Sequence, residues 1–417
     1  MPKVEKHPLI FGCFAYYLMS LAFEGPFRFI LSAAHLETLV YARDLLALLT
    51  VLYYIASKAT SRGNLLKPVV IAFYALLMHA VLSLWISVPL GSVLFSIKVF
   101  MAVLYGMAVS EYLTHHKDQL LTLFKIIFVF SVAGVLLNRL YGIFPWEGEA
   151  FESAFGSIQT TKVWWADGER RLPGFSRASY SAAMAIGLSG GLLMAVTKLR
   201  AIRLVAYIFG LITIYMTTSK GMVAAYALCG LWLIIFNDSP ESQRLGLKIV
   251  FVLVILSILI PVTSALYGGN PSEIRKAPPL LSSFWDRITE SWPQTFNQLE
   301  KNYGYLLGKG LGGVGIAIKM GANNTNQFIP IDNIFWYAYS VFGAVSIYYF
   351  YYAVRHIFKS PEESKAVARP MIATTIIMVG YGLTSVMFED VFFSIIFGVL
   401  ITWPQQETTK NHHAAVN

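Results

Sequence analysis

Asp332 and Asn333 stand where a polar loop meets a long apolar run, in "FIPIDNIFWYAYSVFGAVSIYYFYYAV". A carboxylate at such a threshold can take the proton from an attacking hydroxyl. It can equally cap the helix that begins there, where negative charge suits the positive end of the helix dipole. Cations gather upstream: Arg171, Arg177, Lys220, Arg275 and Arg287. Arginine binds phosphate through two parallel N–H donors, and lysine offers a point charge. One acid among many cations is the chemistry of proton removal beside a phosphate-bearing anion. A pyrophosphate leaving group needs such neutralisation most, because its charge grows as the bond breaks.

Two further cations, Arg43 and Lys98, lie inside apolar runs, where charge is expensive and marks function by default. Glu37 or Asp44 can neutralise Arg43; Lys98 has no acid within its own run. Arg28 reads as a side chain that snorkels to an interface. The adjacent Trp164 and Trp165, set among acids and bases, are the best rings for stacking on a sugar, although Trp and Tyr also form interfacial belts in any membrane protein.

The elements that must position these residues are membrane helices. Of 417 residues, 56% are hydrophobic and only 13% charged, where a soluble domain carries about 25%. Apolar runs near the ~20 residues of a spanning helix recur along the chain. About twelve spans are expected, at 9–24, 38–57, 67–87, 91–111, 120–142, 179–197, 203–217, 221–237, 247–266, 333–354, 370–388 and 391–404. The fold class is therefore an all-α polytopic membrane protein forming a single transmembrane domain over 1–417. The first apolar run ends in "EGPFR" rather than at a small-residue cleavage site, so it is expected to be retained. Cys13 and Cys229 both sit in apolar runs, which argues against a disulfide, and no cysteine–histidine spacing suggests a metal site. No metal or other cofactor and no nucleic-acid partner are expected; membrane lipids are.

Short basic loops ("SKATSRGNLLK", "THHKD", "TKLRAIR") alternate with nearly uncharged ones ("VPLG"). By the positive-inside rule both termini then lie in the cytoplasm. Two long loops, 143–178 and 267–332, fall outside, and loops of this length are uncommon unless functional. Short helices are expected in them. In the second, Ser282 or Ser283 can cap a helix that places Phe284, Ile288, Trp292 and Phe296 on one face. The glycine-rich "GKGLGGVG" has no strand–helix context and reads as a tight turn rather than a nucleotide loop.

Three stretches, in this order, resemble the bacterial O-antigen polymerase and O-antigen ligase superfamily. They are "RRLPGFSRASYSAAMAIG", "YMTTSKGMVAAYAL" with Lys220 where arginine is usual, and "WDRITESW" followed by "LLGKGLGGVG" and "IDNIFWYAYSVFGAVS". The likeness covers roughly 165–345. It implies a GT-C-like fold in the bacterial inner membrane and glycosyl transfer from undecaprenyl pyrophosphate, metal-independent and inverting. It also implies a chain-length regulator as a partner. Arg287 and Arg171 would bind pyrophosphate with Lys220 in support; Arg177 and Arg275 would be secondary; Asp332 would be the base, with Asn333 holding a hydroxyl or a backbone group. The ligase branch typically carries His-Asn where this chain has Asp332-Asn333, which favours the polymerase. The alternatives are the ligase and, in another class, a polysaccharide-lipid flippase.

Overall fold

The computed structural model describes residues 7–59, 67–153, 156–166, 168–236, 238–267, 281–299, 304–320, 331–363 and 365–414. Arg275 lies outside the described residues. Helices α1 (Pro8–Ala22) and α2 (Glu24–Ala33) are followed by a 3-10 turn (Glu37–Tyr41) that runs into α3 (Ala42–Ala59). Then come α4 (Pro68–Trp85), α5 (Leu90–Leu113) and α6 (Lys117–Tyr141). After two small hairpins follow α7 (Ser179–Val196), α8 (Arg200–Met216), α9 (Lys220–Ile235) and α10 (Pro240–Tyr267). Short α11 (Ser282–Asp286), α12 (Trp292–Leu299) and α13 (Gly304–Leu307) precede α14 (Ile334–Phe342), α15 (Val345–Glu363), α16 (Lys365–Gly382) and α17 (Val391–Ala414).

Among the described residues, six helices are long and apolar enough to cross a membrane, or seven if the bent pair α1–α2 is one span. α9 and the apolar parts of α16 and α17 are shorter. The chain is thus an all-α membrane protein by length and composition of its helices. The core sits where small residues let helices touch. Gly106 on α5 and Gly398 on α17 cross so closely that a Cβ on Gly106 would lie 2.0 Å from the Ile395 carbonyl.

Three expectations need correction. The 333–354 run is not one helix: it breaks between Phe342 and Val345, where Gly343 has φ +59. A Cβ there would sit 2.3 Å from Leu306 O, so the close approach of the glycine-rich segment demands glycine and interrupts the helix. The first long loop carries antiparallel hairpins rather than helices: β1 (Ala150–Ser153) with β2 (Gly156–Gln159), and β3 (Trp165–Ala166) with β4 (Glu169–Arg170). α11 begins at Ser282 with Leu281 at its cap position and no side-chain cap, so neither serine caps it. Its continuation does present one apolar face: Trp292 is buried, and Phe284, Ile288 and Phe296 pack on the core.

Candidate functional site

Between α11 and α12 the backbone makes one π-helical turn, Arg287–Ser291. Such a turn carries an extra residue and frees backbone groups, and single π-turns recur at functional sites. The Ser264 hydroxyl of α10 donates to the Ile288 carbonyl, and Thr289 Oγ1 donates to Trp285 O at 2.9 Å. The turn starts at Arg287, whose Nε and Nη2 reach Asp332 Oδ2 at 3.0 and 2.8 Å. Its Nη1 donates to Ser283 O at 2.6 Å. Two residues 45 apart in sequence, both expected at the site, are thus one ion pair, and both side chains stay partly exposed. Asp332 is not the cap. That role falls to Asn333, fully buried, whose Oδ1 accepts from Trp336 N at 2.9 Å while Nδ2 donates to Leu383 O at 3.3 Å.

Leu383 opens the link from α16 to α17, and this link carries two acids, Glu389 and Asp390. Glu389 Oε1 accepts from Ile316 N at 2.7 Å. Gly315, at φ +68, presses on the same oxygen; a Cβ would come within 2.0 Å of it, so only glycine closes this contact. "GKGLGGVG" is therefore a turn, and one end of it cradles a carboxylate. Burial pushes the Glu389 carboxyl up to about 7, with the nearby Asp332 charge adding, while the Ile316 N–H and Lys319 oppose. Asp390 caps α17 through Phe393 N (3.1 Å) and accepts from Ser181 Oγ (2.8 Å); burial pushes it up to about 6.

Cations surround these acids. Lys162 Nζ and the Arg171 guanidinium both lie 4.2 Å from the centre of the Trp164 ring, and Trp164 Nε1 donates to Ser179 Oγ at 3.2 Å. Trp164 is thereby a platform for cations, whereas Trp165 is 64% exposed. Burial lowers the Lys162 ammonium pKa, and Lys319, Arg177 and Arg171 lower it further. Four positive charges therefore share one neighbourhood. Lys319 links them to Glu389, and Arg171 is within electrostatic reach of Tyr381 at the end of α16.

The "TTSKG" segment reaches the same link. A Cβ on Gly221 would meet Thr384 Oγ1 at 2.1 Å, so the start of α9, with half-buried Lys220, is pressed onto the loop carrying Glu389. Just before it, Thr218 holds φ +58, a left-handed backbone unusual outside glycine.

The remaining cations are committed elsewhere. Arg43 Nη2 bonds Glu24 Oε1 at 2.8 Å, not Glu37 or Asp44. Lys98 finds its acid on another helix, Asp44 Oδ2 at 2.9 Å. Arg28 does not snorkel: it is buried, pairs with Glu24 at 2.6 Å and lies over the Phe151 ring at 4.9 Å. Arg170 pairs with buried Glu147, which also accepts from Asn138 Nδ2 at 2.7 Å and ties the hairpins to α6.

Glu389, Lys162 and Lys319 escaped the sequence reading. One signal was there: "FED" interrupts the apolar stretch from 370 to 404. Lys162 and Lys319 carry no local mark and are recognisable only once the loops fold together. Comparison with family models, with curated proteins and with solved structures returns no match to this chain.

Proposed function

We propose that the chain polymerises lipid-linked oligosaccharide repeat units, of the O-antigen kind, by glycosyl transfer with a lipid pyrophosphate leaving group. One observation carries this reading: an Arg–Asp pair and a second carboxylate, in no ion pair among the described residues, converge with four cations, supplied by the segments 162–177, 287, 319–332 and 389. Arg171, Arg177, Lys162 and Lys319 neutralise the donor pyrophosphate as its charge grows. Arg287, locked by Asp332, presents its fork beside them. The acceptor sugar hydroxyl gives its proton to Glu389 as its oxygen attacks the donor anomeric carbon. The bond to the pyrophosphate oxygen breaks on the opposite face, which inverts the centre. Asp332, the base expected from sequence, then serves to hold Arg287. Exposed Trp165 is the ring left open to a sugar.

In this reading the chain crosses the bacterial inner membrane about twelve times, with both termini cytoplasmic and the site periplasmic. Asn297, exposed on α12, tests the side: an Asn297→Cys variant is expected to react with an impermeant maleimide in intact spheroplasts. Protection until lysis contradicts the topology. A deletion strain tests the reaction. Lipopolysaccharide carrying core plus a single repeat supports a polymerase; core with no repeat at all indicates a ligase.

A further inference from the structure

An apolar cavity of about 270 Å³ lies between α1, α5, α6, α7, α16 and α17. Its walls include Phe14 of α1, Phe124 of α6, Leu192 of α7 and Met371 of α16. Lys117, the first residue of α6, and Val196, the last of α7, line it too. The opposite end of α7 belongs to the candidate site, where Ser179 accepts from Trp164. Ser179 and Val196 are about 25 Å apart at ~1.5 Å per residue, so cavity and site face opposite leaflets. The chain segments at the cavity end are basic: "THHKD" leads into α6 and "TKLRAIR" joins α7 to α8.

The wall has one unmet polar group. Trp403 of α17 lines the cavity and is 7% exposed, and its indole Nε1 has no acceptor among the described residues. A buried N–H without a partner is costly, and a ligand oxygen would relieve it. Thr374, also on the wall, already gives its hydroxyl to Pro370 O at 2.8 Å. Beyond the apolar wall the balance of charge is positive. Lys117 stands on the lining; Lys198 and Arg200, two and four residues past Val196, are exposed and make no ion pair among the described residues. Asp118 is the one acid on the lining. An occupant must therefore bring hydrocarbon, then an acceptor oxygen, then negative charge, from the inside outward. The acyl chain, ester carbonyl and phosphate of an anionic phospholipid come in that order, and basic pockets between membrane helices bind acidic head groups.

We infer that this cavity seats one acyl chain of an anionic phospholipid, its ester carbonyl accepting from Trp403 Nε1 and its phosphate facing Lys117, Lys198 and Arg200. The inference does not rest on the proposed reaction. The cavity is slightly smaller than the ~300 Å³ at which small-ligand pockets begin. It therefore takes a single chain and leaves the head group outside. Bound there, the lipid ties together α6, α7, α16 and α17 at the ends away from the candidate site.

The test is lipid retention by the full chain, purified in detergent, stripped of lipid, and read by native mass spectrometry and by Tm. Expected is one retained phosphatidylglycerol, held about tenfold or more tightly than phosphatidylcholine, whose head group has no net charge. Tm should rise with phosphatidylglycerol concentration, as for any ligand of the folded state. Trp403→Phe keeps the ring and removes the N–H, and should weaken retention roughly three- to tenfold. Lys117→Gln, Lys198→Gln and Arg200→Gln together should bring phosphatidylglycerol down to the level of phosphatidylcholine. Equal retention of the two lipids by wild type means a generic lipid belt and overturns the inference. A Trp403→Phe protein that elutes as wild type and holds the lipid as tightly overturns it too. A readout on the unaltered chain stands beside the variants: phosphatidylglycerol with a diazirine in its acyl chain should label peptides containing Phe124 and Met371 ahead of those containing Leu49 and Phe209, which are exposed on other helices. Even labelling of the four would contradict the seat.

Discussion

Two charge clusters adjoin each other in this protein and are built on opposite principles. At the 89° bend between α1 and α2, Glu24 receives both Arg28 and Arg43, and all three are buried, at 5% exposure or close to it. Both guanidinium groups there are turned onto the one carboxylate. In the second cluster Arg287 and Asp332 keep part of their surface open, and Glu389 accepts from a backbone N–H and makes no ion pair among the described residues. Buried pairs cost much desolvation and hold shape; open ones can exchange their partner for a ligand. The sequence marks both clusters equally, as charges in apolar surroundings. Only the partners distinguish a clamp from a site.

The comparison predicts that the two clusters fail differently. Glu24→Ala strands two buried guanidinium groups and is expected to destabilise the fold by about 3–5 kcal/mol. This should appear as a fallen Tm and a low monodisperse yield in detergent; an unchanged Tm would remove the clamp. Arg287→Ala should do the reverse, with a stability change within about 0.5 kcal/mol, as for open sites. Its rate should drop roughly a hundredfold, the ~2–4 kcal/mol of a lost contact to developing charge. Arg287→Lys should recover only part, since the fork is lost; full activity of the alanine variant breaks the assignment.

A smaller effect concerns Glu389 and pH. Its carboxyl is raised from 4.5 to about 7 in the folded protein, so the fold binds more protons than the unfolded chain between those values. The contribution of Glu389 to stability should therefore be full below pH 4.5 and be lost as pH rises through about 7. Glu389→Gln should lack that slope, melting above wild type at pH 8 and with it at acid pH. Parallel melting curves would show that Glu389 carries no burial penalty. Least of all, Asn333→Ala should cost about 1 kcal/mol as a lost helix cap, and Asn333→Asp, which keeps the cap but turns the buried donor to Leu383 O into a carboxylate oxygen, should not restore it.

The long apolar elements were legible because a 20-residue apolar run states its own structure. The expected 67–87, 91–111, 120–142 and 179–197 correspond to α4, α5, α6 and α7. What was not legible depends on contacts across the chain. The break at Gly343 answers the backbone of residues 306–308, far upstream in sequence. The β1–β2 hairpin places Phe151 under Arg28, a contact no local pattern announces. At the site, Asp332 and Arg287 were visible as types at telling positions, but their pairing was not. Asn333 took the cap expected of its neighbour. Lys98 drew attention as an isolated charge and Arg43 was matched to Glu37 or Asp44, because their acids, Asp44 and Glu24, lie on other helices or beyond a bend. Glu389 passed as part of a short link until Gly315 and Ile316 closed on it.

The most direct test of the account is polymer formation by the purified protein from lipid-linked repeat units, measured across pH 5 to 9 for wild type, Asp332→Asn and Glu389→Gln at matched amounts. Wild type should build a glycan ladder whose rate rises with pH through about 7, as Glu389 loses its proton. Glu389→Gln should lose that rise and about 10²–10⁴-fold in rate, while Asp332→Asn, slowed through a loosened Arg287, should keep the same pH dependence. No ladder from wild type, or a Glu389→Gln variant as fast as wild type, would contradict it.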